Sequence, residues 1–277
     1  MKDISTNAVN TWCPGCGDFS ILAAVKSILQ EDKSLSDTVI VSGIGCHAKI
    51  VDYLNVNSFY SLHGRAIPAA EGIKLANPKL KVIVFVGDGD SYGEGLEHLV
   101  FAAKRNIDIT VIVHNNRIYG LTTGQVSPTS PKGFMGKSTP HGSLERPFNP
   151  LELTYASGAT FIARGYSGKP AELKEIMKKA IKHKGFSHVD VLQVCKTFFD
   201  QHDYYDKLVY NLVDHDSKDS KKAFKKIIEW DYNTQAKIPL GVLYEKSDFN
   251  FDEAFKSYRV SQAKTDKAIK NIVKNSI

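Results

Sequence analysis

The sequence predicts an α/β fold in which a parallel sheet is covered by helices on both faces, and three observations lead to this expectation. Residues 81–86 form a β-branched segment that is apolar on both faces, which is typical of a parallel strand buried between helices. A glycine-dense loop, a segment of helical periodicity over 96–105 and a second β-branched segment over 107–113 follow it and make a βαβ unit. The same alternation resumes in the second half, with helices predicted over 151–156 and 171–183 and strands over 160–163 and 189–194.

The remaining segments complete one parallel-sheet domain over residues 1–198. A helix is predicted through Ile21–Leu29 with Asp18 as its cap, a strand over 38–42 and a helix over 69–75. The stretch 119–150 has no periodicity, and a loop of this length in a compact domain is usually functional.

Residues 199–277 differ in composition and are expected to form a C-terminal extension. Lysine-rich segments over 218–230 and 251–272 predict helices, and the turn-prone segment 237–241 separates them, so we expect helices and loops without a sheet of their own. The extension either packs on the surface as a tail or contributes to a subunit interface.

Composition and charge exclude several classes of protein. The hydrophobic fraction of 42% is ordinary for a globular protein, and no apolar run is long enough to span a bilayer. The N-terminal segment lacks the apolar core of a signal peptide, so a cytoplasmic location is expected. The formal charge of +6 is not concentrated in a basic stripe, which argues against a nucleic-acid partner.

The most informative motif is Gly87-Asp-Gly89, followed after a helix-length spacing by Asn115-Asn116. A bound diphosphate needs close backbone approach, which glycine permits, and a hard cation with oxygen ligands. Asp88 offers an anionic oxygen, Asn116 an amide oxygen from the next strand end and Ile118 a backbone carbonyl for Mg²⁺. A bare Gly-Asp-Gly is usually a turn, but its strand context and the asparagine pair make this signal more specific.

This arrangement resembles the diphosphate-binding motif of thiamine-diphosphate enzymes. The resemblance implies that Asp88, Asn116 and the Ile118 carbonyl bind Mg²⁺. It also implies further residues lining the diphosphate: Gly87, Gly89, Asp90, Gly120 and Leu121.

The chain has four cysteines, two of them in the turn Cys13-Pro-Gly-Cys16 and the others at Cys46 and Cys195. Four thiols match a tetrathiolate site for either Zn²⁺ or an iron–sulfur cluster. Alternatively, the first two form a redox pair and the others are buried as small apolar side chains. If the Cys46 loop lies at the carboxyl edge of the sheet, a metal there would be near the cofactor, and this favours a redox centre over zinc.

Together with these motifs, three further segments make the chain similar to the β subunit of the 2-oxoacid:ferredoxin oxidoreductases, and in particular to the archaeal two-subunit type. The resemblance is co-linear over residues 11–200. The segments are Gly43-Ile-Gly-Cys-His-Ala-Lys49, His63-Gly-Arg65 and Tyr119-Gly-Leu-Thr-Thr-Gly-Gln-Val-Ser-Pro-Thr129.

The resemblance implies roles for individual residues. Cys13, Cys16, Cys46 and Cys195 match the ligands of one [4Fe–4S] cluster, and Ile44, Gly45, Cys46 and His47 match a segment that contacts the cofactor. Lys49 and Arg65 match positions at the substrate end of the site, although each could equally be solvated or paired with an acid. Thr123 stands where many relatives are expected to carry lysine, and the missing cation should disfavour a second carboxylate such as that of 2-oxoglutarate.

The implied reaction is the coenzyme A-dependent oxidative decarboxylation of 2-oxoacids, with electrons leaving through the cluster to ferredoxin. Thiamine activation also needs a carboxylate from a second domain of similar fold, which this chain lacks. We therefore expect an α subunit as partner, in an αβ or α₂β₂ assembly. The alternatives are a subunit of a non-redox thiamine-diphosphate decarboxylase or synthase, which has no use for four cysteines, and a zinc-stabilised module without catalytic activity.

Overall fold

An eight-stranded sheet forms the centre of the molecule. The structure is a computed structural model, and it describes residues 4–32, 35–255 and 262–275. Its strand order is β2-β1-β3-β4-β8-β7-β10-β9, and all neighbours are parallel except β10, which runs antiparallel to β7. Strands β5 and β6 form a separate antiparallel pair. In chain order the strands are β1 (Thr38–Ser42), β2 (Asn57–Tyr60), β3 (Lys81–Gly87), β4 (Thr110–Asn115), β5 (Ile118–Tyr119), β6 (Gln125–Val126), β7 (Phe161–Tyr166), β8 (Ser187–Leu192), β9 (Val209–Asn211) and β10 (Ile238–Glu245).

Helices cover both faces of this sheet, as predicted. The α-helices of the described residues are α1 (Asp18–Glu31), α2 (Ala66–Ala76), α3 (Leu96–Arg105), α4 (Pro150–Ala156), α5 (Pro170–Lys182), α6 (His202–Leu208), α7 (Ser220–Ile227), α8 (Phe251–Phe255) and α9 (Gln262–Asn275). Helices α1 and α5 pack against each other over one face, while α2, α3, α4 and α7 bury their apolar residues against the other. None of these helices is long and apolar enough to cross a lipid bilayer.

Strand β3 shows why the centre of the sheet is apolar on both sides. Ile83 and Phe85 belong to the core cluster under α1 and α5, whereas Val82, Val84 and Val86 belong to the cluster under α2 and α3. Because successive strand residues point to opposite faces, a strand between two helical layers has to be apolar at every position.

The element boundaries confirm most of the sequence predictions. The predicted strand over 38–42 and the predicted helix over 96–105 match β1 and α3, and the predicted strand over 107–113 is shifted to β4. Asp18 was expected to cap α1, and this was wrong. The helix begins at Asp18, the cap position is Gly17, and the cap makes no side-chain hydrogen bond.

The expectation that the extension contributes only helices and loops was wrong. Residues 237–241 were expected to form a turn, but Ile238–Glu245 is β10, which extends the main sheet between β7 and β9. The proline and glycine of this segment predicted a turn, whereas burial of Ile238, Leu240 and Leu243 against the core stabilises a strand. The predicted helix over 251–272 includes residues 256–261, which lie outside the described residues.

The extension also shares the core of the first 198 residues. Ile227 of α7 is fully buried in the same cluster as Val84 of β3 and Leu99 of α3. The next residue, Ile228, is 44% exposed. Neighbouring isoleucines therefore provide a test of how far the sheet depends on the extension.

We expect Ile227→Ala to lower the free energy of unfolding by about 2–5 kcal/mol, because it removes buried methyl groups and leaves a cavity. Ile228→Ala is the matched control and should change stability by less than about 1 kcal/mol. Chemical denaturation followed by circular dichroism measures both. If both variants changed the free energy of unfolding by equally small amounts, the shared core would be contradicted.

Candidate functional site

The carboxyl ends of four neighbouring strands bring the sequence motifs together. The Gly43–His47 loop follows β1, the Gly-Asp-Gly loop follows β3, Asn115 ends β4, and Cys195 lies three residues beyond the end of β8. These strands are adjacent in the order β1-β3-β4-β8. The prediction that both anchors lie at one edge of the sheet is therefore confirmed, as the rule for ligand binding in α/β sheets requires.

Asp88 is the central charged group of this edge. It is 2% exposed, and its Oδ2 accepts hydrogen bonds from the Ser127 hydroxyl at 2.5 Å and the Thr129 hydroxyl at 2.9 Å. Burial raises the pKa of Asp88 to about 6, although these two hydroxyls oppose the shift. A cation beside the carboxylate would reverse the effect of burial.

Glycines allow the backbone to approach the site closely. A Cβ on Gly89 would lie 2.2 Å from Cε1 of Tyr119, and a Cβ on Gly87 would lie 2.8 Å from Nδ1 of His47. Any larger residue would have to displace these rings, so the motif needs glycine at both positions.

A buried His–Asp contact joins two of the loops. His47 Nε2 lies 3.2 Å from Asp90 Oδ2, and Asp90 Oδ1 accepts the backbone N–H of Gly64 just before α2. Gly43 packs against the same carboxylate so closely that a Cβ there would overlap it. Asp90 therefore fixes the loop after β1 relative to the loop after β3.

The predicted metal ligands Asn116 and Ile118 lie in the tight turn that leads from β4 into β5. The Asn116 Oδ1 accepts the Ile118 N–H at 3.1 Å, and Arg117 between them has a φ of +64°. Left-handed backbone is uncommon for a residue with a Cβ, so other contacts must hold this loop.

These loops line an open cleft. Every residue that was predicted to bind the cofactor lines it, together with Ile118, His63, Tyr119 and Thr122. The buried carboxylate, the asparagine amide and the glycine-permitted backbone fit an anionic diphosphate held through a divalent cation.

All four cysteines line a second cavity. It shares Cys46, Asn116, Gly120 and Leu121 with the first cleft. Cys46 Sγ and Cys195 Sγ both lie 3.9 Å from where a Cβ on Gly120 would be. The thiols are free, and among the residues that the structure describes no three His, Cys, Asp or Glu side chains are set as closely as the ligands of a single metal ion.

Burial changes the acidity of these thiols. It raises the pKa of Cys46 to about 11 and also raises the pKa values of Cys16 and Cys195. Thiols with raised pKa values are weak nucleophiles and become good ligands only when a metal displaces the proton. Burial therefore keeps the thiols of Cys16, Cys46 and Cys195 protonated unless a metal displaces the proton.

Sequence reasoning missed the polar side chains around Cys16. Asp18 Oδ2 lies 3.5 Å from Cys16 Sγ, and Asp18 Oδ1 lies 2.7 Å from His114 Nδ1. Gln193 Nε2 donates to the same sulfur at 3.4 Å. His114 lies in β4 and Gln193 directly follows β8, and only the folded sheet brings them to Asp18 and Cys16.

The predicted substrate residues are divided between two places. Lys49 and Thr123 line the cysteine cavity. Arg65 is exposed, and its Nη1 donates to the backbone oxygens of Gly64 and Glu94 at 3.1 Å. Thr123 has a φ of +76°, and the ammonium group of Lys137 donates a hydrogen bond to its hydroxyl.

Ser127 and Thr129 are the other functional residues that sequence reasoning missed. Both lie in the long loop after β6, and their hydroxyls donate hydrogen bonds to Asp88. The Ser-Pro-Thr sequence was visible, but nothing in its local pattern indicates that the loop folds back onto the end of β3.

Comparison with known proteins agrees with this geometry. Residues 43–191 match the family described as thiamine pyrophosphate enzyme, C-terminal TPP binding domain, and residues 195–260 match the family that describes the C-terminal part of the pyruvate ferredoxin oxidoreductase beta chain. The 2-oxoacid:ferredoxin oxidoreductase subunit beta of Saccharolobus solfataricus is 47% identical over 253 residues, covering 85% of this chain and 82% of that protein. Subunit beta of 2-oxoacid:ferredoxin oxidoreductase 1 of Aeropyrum pernix is 47% identical over 254 residues, covering 86% and 79%.

A solved structure is similar over almost the whole chain. It is the 2-oxoglutarate:ferredoxin oxidoreductase from Magnetococcus marinus with 2-oxoglutarate, coenzyme A and succinyl-CoA bound, at a TM-score of 0.90 and 34% identity, covering 98% of this chain and 95% of that chain. The fold and the family expected from the sequence are both confirmed. The chain belongs to the family of 2-oxoacid:ferredoxin oxidoreductase beta subunits, and it is a subunit of an oxidoreductase.

Proposed function

We propose that this beta subunit binds thiamine diphosphate through Mg²⁺ in the cleft above β3 and β4 and carries one [4Fe–4S] cluster among its four cysteines. The observation that carries the proposal is the wall common to the two cavities, formed by Cys46, Asn116, Gly120 and Leu121. A cofactor that releases electrons and a centre that accepts them would thus lie side by side. A non-redox decarboxylase has no use for the second cavity.

Bound in this cleft, thiamine diphosphate would supply the carbanion chemistry that decarboxylates a 2-oxoacid, and the cluster would supply one-electron transfer. The residues of the chain bind and orient these groups. Asp88, Asn116 and the Ile118 carbonyl would hold Mg²⁺, and Gly87 and Gly89 let the backbone approach the diphosphate.

The complete reaction needs other components. Beta-subunit identity implies an alpha subunit as partner and a ferredoxin as electron acceptor. We propose that the alpha subunit supplies the carboxylate that activates the thiamine ring, and that coenzyme A accepts the acyl group. The Magnetococcus marinus relative, which binds coenzyme A and succinyl-CoA, supports the proposed role of coenzyme A.

We expect Asp88→Asn to weaken thiamine diphosphate binding by more than about tenfold, because the metal loses its anionic ligand from this chain. Asp248→Asn, which alters an exposed loop carboxylate paired with Lys246, is the matched control. Calorimetric titration of the cofactor-free complex at fixed Mg²⁺ measures the affinity. Unchanged affinity in Asp88→Asn would refute the metal site.

Cys195→Ser should abolish assembly of the cluster, since one of four thiolate ligands is lost. The anaerobically purified variant should lose iron, broad visible absorption and ferredoxin reduction. Because all four cysteines are predicted ligands, the control is Thr197→Val in the same cavity, which should keep its iron. A colourless parent protein that carries zinc would refute the cluster.

The structure also bears on the substrate. Thr123 was expected to disfavour dicarboxylate substrates because a lysine is missing there, and this stays a prediction. The hydrogen bond from Lys137 to Thr123, however, places a cation at this position from elsewhere in the loop. We propose that Lys137 offsets part of the missing charge by attracting a second carboxylate, so that 2-oxoglutarate is disfavoured relative to pyruvate but still accepted.

Replacing Lys137 should therefore affect the two substrates differently. We expect Lys137→Met to raise the KM for 2-oxoglutarate about two- to fivefold relative to that for pyruvate, the range for an exposed ion pair. Lys132→Met, an exposed lysine of the same loop, is the control. Initial rates of ferredoxin reduction by the complex provide both KM values, and an equal change for both substrates would argue against this role.

A further inference from the structure

We propose that Tyr232 of the C-terminal extension is a positioning residue for the metal site, and that it acts on Asp88 through Asp190, Asn115 and Thr129. The proposal rests on the proposed function, because it assumes that Asp88 binds the cation of a cofactor. It gives the extension a role in the active site in addition to the part it plays in the sheet.

The network begins at a carboxylate with no exposure to water. Asp190 lies on β8, and it accepts hydrogen bonds from the hydroxyls of Tyr232 at 2.7 Å and Tyr92 at 2.8 Å and from the Asn115 amide at 3.0 Å. A buried carboxylate requires such donors, since an unpaired charge in the interior is strongly destabilising. These three donors therefore hold Asp190 in one orientation.

Asp190 in turn determines the orientation of Asn115. A carboxylate can only accept hydrogen bonds, so Asn115 has to turn its NH₂ group to Asp190 and its oxygen to the Thr129 hydroxyl, 2.9 Å away. The side chain of Asn115 is fully buried and contacts both groups at once. Its amide transmits the position of Asp190 to the loop after β6.

Thr129 completes the path to the metal ligand. Its Oγ1 lies 2.9 Å from both Asn115 Oδ1 and Asp88 Oδ2, and its single hydrogen can serve only one of them at a time. Ser127 donates to the same oxygen of Asp88 at 2.5 Å. Ser127 fixes the rotation of the Asp88 carboxylate, while Thr129 shares its hydrogen between Asp88 and Asn115, so its bond to Asp88 depends on where Asn115 lies.

A second contact from the extension reaches the loop that carries the other ligands. Arg117, between Asn116 and Ile118, donates from Nε to the Thr129 carbonyl at 2.8 Å and from Nη2 to the Tyr232 carbonyl. Its guanidinium lies over the Trp230 ring, 5.5 Å from the centroid. Tyr232 has a φ of +63°, a left-handed conformation like that of Arg117, and such conformations persist only where surrounding contacts enforce them.

The Tyr232 hydroxyl is suited to donate its hydrogen bond to Asp190 permanently. Burial and the nearby Asp190 raise its pKa well above the usual range, so the hydroxyl keeps its proton. Its ring stacks on Trp230 with centroids 4.2 Å apart. Removing only the hydroxyl should leave this packing intact.

The test compares Tyr232→Phe with Tyr166→Phe in the complete complex with the alpha subunit. Tyr166 is buried in the same aromatic cluster and donates to a carboxylate at 2.8 Å, but that carboxylate is Asp206 of α6 and lies outside the network. Each variant loses one hydroxyl–carboxylate hydrogen bond. Thiamine diphosphate affinity is measured by calorimetry over a range of Mg²⁺ concentrations, and the melting temperature by circular dichroism.

We expect Tyr232→Phe to raise the apparent Kd for thiamine diphosphate about three- to tenfold at limiting Mg²⁺, with recovery at high Mg²⁺, while Tyr166→Phe leaves it unchanged. A purely structural role would lower the melting temperature of both variants without altering the Mg²⁺ dependence. Should Tyr232→Phe fail to assemble, Thr129→Val breaks the same path beside Asp88, and the same rise in Kd is expected.

The outcomes separate the two proposals. If Asp88→Asn weakens binding but Tyr232→Phe, or Thr129→Val in its place, behaves like Tyr166→Phe, the metal site stands and the positioning role is overturned. If Asp88→Asn has no effect on binding, the proposed function fails and the inference fails with it.

Discussion

The arrangement of the site depends on keeping one carboxylate, Asp88, buried at the end of β3. Removing an unpaired charge from water costs on the order of several kcal/mol, and the chain offsets this with two hydroxyls from a loop nearly 40 residues away in sequence. A divalent cation would complete the compensation and reverse the effect of burial on the pKa of Asp88. The long loop after β6 is thus held against the sheet by the same contacts that compensate the buried charge of Asp88.

Close packing at this edge of the sheet explains why three positions of the site are glycine. Gly87 and Gly89 face the rings of His47 and Tyr119 at distances that leave no room for a Cβ, and Gly43 packs directly on Asp90. The loops after β1, β3 and β4 therefore meet in a single wall instead of standing apart as separate turns. The cysteine cavity uses the other side of that wall, so Cys46 lies between the two sites. Adjacent placement of this kind is what an enzyme needs when it passes electrons from a cofactor to a metal centre.

The C-terminal extension contacts residues that support the site. Strand β10 extends the sheet, and the segment between α7 and β10 brings Trp230 and Tyr232 against Arg117 and Asp190. The extension and the first 198 residues therefore share hydrogen bonds as well as a core. Whether its outer surface contacts the alpha subunit stays a prediction.

The sequence by itself determined the parallel sheet, because the segments 82–86 of β3 and 111–113 of β4 are apolar on both faces, as a strand between two layers of helices has to be. It also determined the residues of the cleft, since Gly-Asp-Gly and Asn-Asn at strand ends must meet at one edge. It did not determine that residues 237–241 form a strand or that Asp18 pairs with His114, since these depend on partners distant in the chain. Only the tertiary structure decided that Ser127, Thr129 and Tyr232 support Asp88, because a hydroxyl carries no local pattern and its partner is chosen by the fold.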